Sequence, residues 1–449
     1  MTKYYLDPLG GKMSKEEIDY IINNYYMHGD GPKSIFLIKG KDCIVTDIDG
    51  NEYIDCQSQA WTLNSGHSNK TILEAAFNQA KILSHVRPIH DTFPRVKLIK
   101  KLAEIAPGNL KRIALTLTGS LASESAFKLA MINRPDALYF ITLYNAWHGN
   151  SLASAAASWV PTQTRGKDNF GFGMKFKPFM NNFVRVPNPY CYRCYFGEKY
   201  PNCKLTCAKV LELTIEKAVS GPVAGVYIEP IQGNGGQIPC PLKYLQEVRR
   251  ICDKYGILLM FDEVQTAFGR MGTMFGAEYY NVMPDIITFA KAMGNGWPIG
   301  GILADNRLET LQSTGEDAYT NANNAMIQSA ALANINFIIE NKLKENAAKM
   351  GDYITKRLIE LQKDIPQIGD IRGPGLHIGV ELVRDPKTKE PAIEETNMFY
   401  NESLKRGVLF GLAGAIRNVI KIKPPLTISK ELADRVLNVF EDVARIVFK

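Results

Sequence analysis

Residues 257–291 read ILLMFDEVQTAFGRMGTMFGAEYYNVMPDIITFAK, and a short apolar run stands at each end of that stretch. The runs are ILLMFDE (257–263) and DIITFAK (285–291), and each closes on charged residues. Working outward, IALTLTG (113–119), LYFITLY (138–144) and VAGVYIEP (223–230) have the same character. Amphipathic stretches separate them. One is a clear helix: Tyr244, Leu245, Val248, Ile251, Cys252 and Tyr255 recur at helical spacing, and Gly256 ends it. This alternation, from about residue 70 to 305, predicts an α/β fold with a mainly parallel sheet and helices on its faces.

The flanks read differently. Near the start, IVTDIDGNEYIDC (44–56) places Asp49-Gly50 between two β-prone runs, as in a hairpin. Beyond about residue 325 come a long helix-like segment, then GDIRGPGLHIGVELV (369–383), then an amphipathic helix from about Lys430 to Phe448. The expected organisation is a large domain over 66–315 and a smaller α+β domain over 316–449. An N-terminal segment, 1–65, is expected to pack with the smaller one. The 449 residues are 45% hydrophobic and 22% charged, enough for a sizeable core without staples. A net charge of +7, with basic and acidic residues interspersed, argues against a nucleic-acid footprint. No apolar stretch approaches the ~18 residues of a membrane span, and MTKYYLDPLGG is not a signal peptide, so a cytoplasmic location is expected.

In open α/β sheets, ligands bind beyond the carboxyl ends of the strands. The first run ends in Thr118-Gly119-Ser120 before a helix-like ASESAFKLA, where backbone N–H groups and a helix N-terminus can hold a phosphate. Taken alone it is also an ordinary strand–helix turn. The second ends in Asn145-Ala146-Trp147-His148-Gly149. Trp147 can stack on a planar ring, although a lone Trp is more often core, and His148 receives no role. The third ends in Glu229-Pro230-Ile231-Gln232-Gly233. Asp262 follows five apolar residues, so it is expected to be buried and to need a cationic partner, or else to cap a helix. Lys291 closes the fifth run. A desolvated amine loses its proton readily and becomes a nucleophile towards a carbonyl; a lysine at a strand end can also snorkel to solvent. Phosphate cup, stacking ring, buried Asp and buried Lys together match the parts of a pyridoxal-phosphate site.

The stretch 261–301, FDEVQTAFGRMGTMFGAEYYNVMPDIITFAKAMGNGWPIGG, resembles the signature of class III pyridoxal-phosphate aminotransferases, the ornithine/ω-amino-acid group. DGNEYIDCQSQAWTLNSGH (49–67), EPIQGNGG (229–236), IRGPGLHIGVEL (371–382) and IKPPLTIS (422–429) match that family's landmarks in order. The resemblance implies a fold-type-I transferase and a homodimer with sites at the interface. It implies that Lys291 carries the cofactor and shuttles a proton. Asp262 would keep the pyridine nitrogen protonated, and Gln265 would meet the ring's phenolic oxygen. Gly119 and Ser120 would hold the phosphate, with Thr320 reaching in from the partner subunit. Trp147 would stack on the ring, with Glu229 close by. Three positions depart from the pattern: Leu121 replaces a usual Glu, 320–324 (TNANN) lacks the usual glycines, and Lys421 replaces an Arg. Lysine is a point charge without the arginine fork, so recognition of an α-carboxylate there is not expected. Substrate contacts are sought at Trp61, Arg87, His90, Trp297 and Lys421.

Cys191, Cys194, Cys203 and Cys207 form a CxxC–x8–CxxxC cluster. It is compatible with a structural zinc, with an iron–sulfur cluster, or with free or redox-labile thiols. The expected reaction passes an amino group from an amine or ω-amino acid to a 2-oxo acid. The same fold and lysine also suit a racemase or epimerase, a decarboxylase or a phospho-lyase. A third reading is a non-catalytic metal-binding relative.

Overall fold

The computed structural model describes residues 4–7, 9–27, 35–159, 182–311 and 315–449. Two large sheets form among them. The first has strands in the order Arg112–Thr116, Gly300–Ala304, Ile286–Phe289, Leu258–Asp262, Val223–Ile228, Tyr139–Leu143 and Phe183–Val186. Neighbours run parallel, except that Gly300–Ala304 runs antiparallel to both of its neighbours. This is the mainly parallel sheet expected from the five apolar runs. Its central strands are buried along their whole length, so apolar residues occupy both faces.

Helices cover those faces. Leu242–Tyr255 lays Tyr244, Leu245, Val248, Ile251 and Cys252 on the core and stops at Gly256, whose φ of +62° suits a residue without a side chain. Gly119–Asn133 follows the first strand, and Thr118 caps it by accepting from Leu121 N. The helix-like segment beyond 325 is two helices, Ala325–Glu340 and Leu343–Asp364, broken where Lys342 turns to φ +52°.

The second sheet draws strands from both flanks of the chain. Its order is Ile368–Arg372, Ile378–Asp385, Val419–Ile422, Val408–Ala413, Glu52–Cys56, Ile44–Asp47 and Leu37–Lys41, with Glu390–Pro391 pairing beside Ile378–Asp385. Ile44–Asp47 and Glu52–Cys56 form the expected hairpin, with Gly50 at φ +87° in its turn. Among the described residues no helix is long and apolar enough to cross a membrane.

Candidate active site

A cavity of about 330 Å³ opens at the carboxyl ends of the first sheet's strands. Gly119, Ser120, Trp147, Glu229, Asp262, Gln265, Lys291 and Trp297 all line it. Topology explains the gathering, because adjacent parallel strands end on the same edge and each delivers its last residues there.

One end is built for an anion. The helix Gly119–Asn133 points its N-terminus into the cavity, bringing free N–H groups and a positive dipole end. Ser120 Oγ accepts from Asn150 N at 2.9 Å, which ties this turn to the loop carrying Gly149. Gly149 has φ +133°, and a Cβ there would lie 2.4 Å from Ser120 Oγ, so only glycine fits.

The deep wall carries the charges. Asp262, 4% exposed, is the last residue of its strand, as the sequence suggests. Its Oδ1 accepts from Val264 N at 3.1 Å, and its Oδ2 lies 2.7 Å from His148 Nδ1. The His148 ring stacks on Tyr227 with centroids 4.2 Å apart. Tyr227 in turn reaches Ser123 Oγ and Thr288 Oγ1. His148, which sequence reasoning left without a role, therefore seats the key carboxylate. No local spacing reveals a contact between residues 114 positions apart.

Lys291 lies two residues beyond its strand rather than closing it, at the start of a short turn with φ +42°. A left-handed lysine is strained, and strain of this kind is found where function demands it. Burial pulls its ammonium pKa below the ordinary value, against the opposing pull of Asp262 and Glu229. Glu229 accepts from Trp147 N and Gly233 N, both at 2.9 Å. Burial first, then the nearby Asp262, pushes its carboxyl up to about 8.

Of the other expected positions, Arg87, His90 and Thr320 do not line this cavity, whereas Trp61 and Lys421 adjoin it, with Lys291 Nζ 5.4 Å from the centroid of the Trp61 ring. Arg87 and His90 are exposed, and both offer backbone carbonyls to Asn323 Nδ2. Thr320 is exposed on a short turn, Thr320–Asn323. Lys421, 4% exposed, holds its Nζ 3.9 Å from the centroid of the Trp61 ring. Trp61 ends a turn in which Ser58, Gln59, Ala60 and Trp61 all have positive φ. Left-handed non-glycine residues cost roughly 1–2 kcal/mol each, so this turn must be held from outside. Ser58 Oγ donates to Lys423 O at 2.7 Å, and Asp55 accepts from Gln57 N and Gln59 N.

The expected metal site is not supported. Cys191, Cys194, Cys203 and Cys207 do line one small cavity, walled by Tyr190, Tyr195, Tyr200 and Tyr244. All four are free thiols, and among the described residues no three His, Cys, Asp or Glu side chains converge to hold a metal ion. For Cys191 and Cys207 the setting favours the thiol over the thiolate. Burial, with repulsion among the cysteines, pushes Cys191 up to about 11 and Cys207 to about 12.

The cavity suits a planar, phosphorylated pyridine. An anion end, a buried carboxylate and an amine that readily loses its proton share one space. The amide of Gln265 adds an N–H pair with no acceptor among the described residues. Fold and site thus define a fold-type-I architecture with a cavity that fits pyridoxal phosphate. Comparison with known proteins narrows this. The aminotransferase class-III profile matches residues 25–444, and the chain belongs to that family. It is 36% identical to a leucine/methionine racemase of Thermococcus litoralis over 91% of this chain and 90% of that one. It is 33% identical to an acetylornithine aminotransferase of Methanothermobacter thermautotrophicus, covering 96% and 99%. A solved transaminase structure from the marine bacterium Virgibacillus superposes with a TM-score of 0.86 at 27% identity, covering 96% and 98%.

Proposed function

We propose that this protein is an aminotransferase that passes an amino group from an amine or ω-amino acid to a 2-oxo acid, such as 2-oxoglutarate or pyruvate. The observation that carries it is the shared cavity of Lys291, Asp262 and the N-terminus of Gly119–Asn133. Bound pyridoxal phosphate supplies an electron sink for the carbon that loses its proton. The chain's own residues do the rest. Gly119 and Ser120 hold the phosphate with backbone N–H groups and a hydroxyl, and the partner subunit's Thr320 completes that grip. Trp147 covers the ring. Asp262, held by His148 at 2.7 Å, keeps the pyridine nitrogen protonated. Gln265 meets the ring oxygen. Lys291 anchors the cofactor and then moves the proton at the substrate carbon, a task that its lowered pKa favours. Trp61, Arg87, His90, Trp297 and Lys421 are the substrate positions to test, within a homodimer in the cytoplasm.

A racemase or epimerase is the second reading, and two observations favour it. A relative at 36% identity is a racemase. The cavity also holds a second protonatable group, Glu229, whose raised pKa lets it keep a proton near neutrality. The test is a panel of amines and amino acids with 2-oxoglutarate, with pyruvate, and with no acceptor. Transamination predicts turnover only when an acceptor is present. Inversion of an amino acid without an acceptor would overturn it in favour of racemisation. Borohydride treatment should fix the cofactor on Lys291 in either case.

A further inference from the structure

A fully buried lysine stands behind the cavity without a carboxylate beside it. Lys423 is 0% exposed, and its backbone N–H donates to Cys56 O at 2.9 Å. Its Nζ donates to Gln265 Oε1 at 3.0 Å and lies 2.9 Å from His377 Nε2. Among the described residues no carboxylate lies within ion-pair distance of this ammonium. Burial pulls its pKa well below the ordinary value, helped by Arg270, Lys421 and Lys291, all of its own sign, and opposed by Glu229.

Donor chemistry fixes how these three side chains face one another. An ammonium has three donors and no acceptor. When Lys423 is charged, His377 accepts through Nε2, which leaves its proton on Nδ1 and the ring neutral. Burial, followed by Lys423 and Arg270, holds the imidazole pKa well below its usual value, in agreement with that state. In that state Gln265 presents Oε1 to Lys423 at 3.0 Å, because the flipped amide would set NH₂ against NH₃⁺. The amide N–H end is then turned towards the cavity, where it has no acceptor among the described residues. A buried lysine without an anion gives up its proton readily, and a ligand that brings a negative oxygen to this place favours its charged form.

We infer that Lys423, seated by His377, is a positioning residue that locks the Gln265 amide with its N–H end towards the cavity and biases the site towards the anionic form of the cofactor's ring oxygen. The inference rests on the pyridoxal-phosphate reading. It assigns Lys423 a part distinct from that of Lys421, two residues earlier: both lie over the Trp61 ring, at 5.0 and 3.9 Å from its centroid, but it is Lys423 that donates to Gln265.

The test is a pH titration of the visible absorbance of the holoenzyme, carried out for wild type, Lys423→Met, Lys423→Gln and Lys421→Met. A neighbouring cation favours the more negative, deprotonated state of the bound cofactor. Removing it should raise the midpoint by about one pH unit or more in both Lys423 variants, a tenfold change in the equilibrium. Lys423→Gln keeps a polar side chain of similar reach and serves if Lys423→Met does not fold. A midpoint within about 0.3 unit of wild type, with cofactor fully bound, would overturn the inference. An equal shift in Lys421→Met would also overturn it, because the general positive field rather than the Gln265 contact would then be responsible. A wild type with no visible band and no borohydride-fixed cofactor would instead refute the pyridoxal-phosphate reading itself.

Discussion

Glu263 is 1% exposed and follows Asp262 directly, yet its neighbours make it a different kind of carboxylate. It turns away from the cavity and accepts from Ala277 N at 2.9 Å, from Thr266 Oγ1 at 3.0 Å and from Gly276 N. These bonds favour the charged form, but burial outweighs them and pushes the carboxyl up to about 7. The sign of the consequence follows from linkage. Between an unfolded pKa near 4.3 and the folded value, the folded chain holds the extra proton, so stability is fully present below that window and is lost as pH rises through it. Glu263→Gln removes this contribution. The fall in melting temperature between pH 5 and pH 8 should therefore be shallower in the variant than in wild type, even if the variant melts lower at both ends. Parallel slopes would contradict the assignment. The pair Asp262–Glu263 also shows how far a residue can be read in advance. Burial of Asp262 is legible from the five apolar residues before it. Its partner His148 is not, because only the fold brings those strand ends together.

At the scale of elements, the legible and the illegible divide by burial. Strands covered on both faces, such as Val223–Ile228 and Leu258–Asp262, appear in the sequence as unbroken apolar runs. Phe183–Val186 does not, because this strand at the sheet's end is only half-buried and carries Arg185. Gly300–Ala304 begins with two glycines and runs against its neighbours, so neither composition nor the strand–helix alternation announces it. The anion end of the site was half legible. Thr118-Gly119-Ser120 before a helix is a readable pattern, while Gly149, in a separate loop, becomes part of it only through Ser120. Gly149→Ala tests that pairing. The added Cβ would sit 2.4 Å from Ser120 Oγ and 2.7 Å from Ser154 Oγ, in a backbone conformation that alanine resists. Cofactor retention should weaken about tenfold or more in equilibrium dialysis, with the far-ultraviolet circular dichroism unchanged. Retention equal to wild type would mean that the loop gives way freely.

Across the whole molecule, one side chain joins parts of the chain that are far apart in sequence. Arg270 is 1% exposed and donates to Leu376 O at 3.1 Å, Pro424 O at 2.5 Å, Ser58 Oγ at 3.2 Å and Asn64 Oδ1 at 2.5 Å. It thus pins the left-handed turn before Trp61 to both large sheets' connections. Arg270→Met would leave three buried carbonyl oxygens unpaired, those of Leu376, Pro424 and the Asn64 amide, and should cost about 3 kcal/mol or more, seen as a fall in the urea midpoint. A loss below about 1 kcal/mol would show that water or neighbours replace it. The second sheet carries the same long-range logic into the protein's synthesis. Strand Glu52–Cys56 takes Val408–Ala413 as its parallel neighbour, with Ile54 opposite Val408 and Cys56 opposite Phe410. A ribosome reading from the amino end must add residues 57–407 before that neighbour exists, roughly 20–70 s at ~5–20 residues per second. During that interval the hairpin's free edge is a template for any passing strand. Yield in a foreign host should therefore depend on translation speed and on chaperones that shelter nascent chains, well before the cofactor has a place to bind.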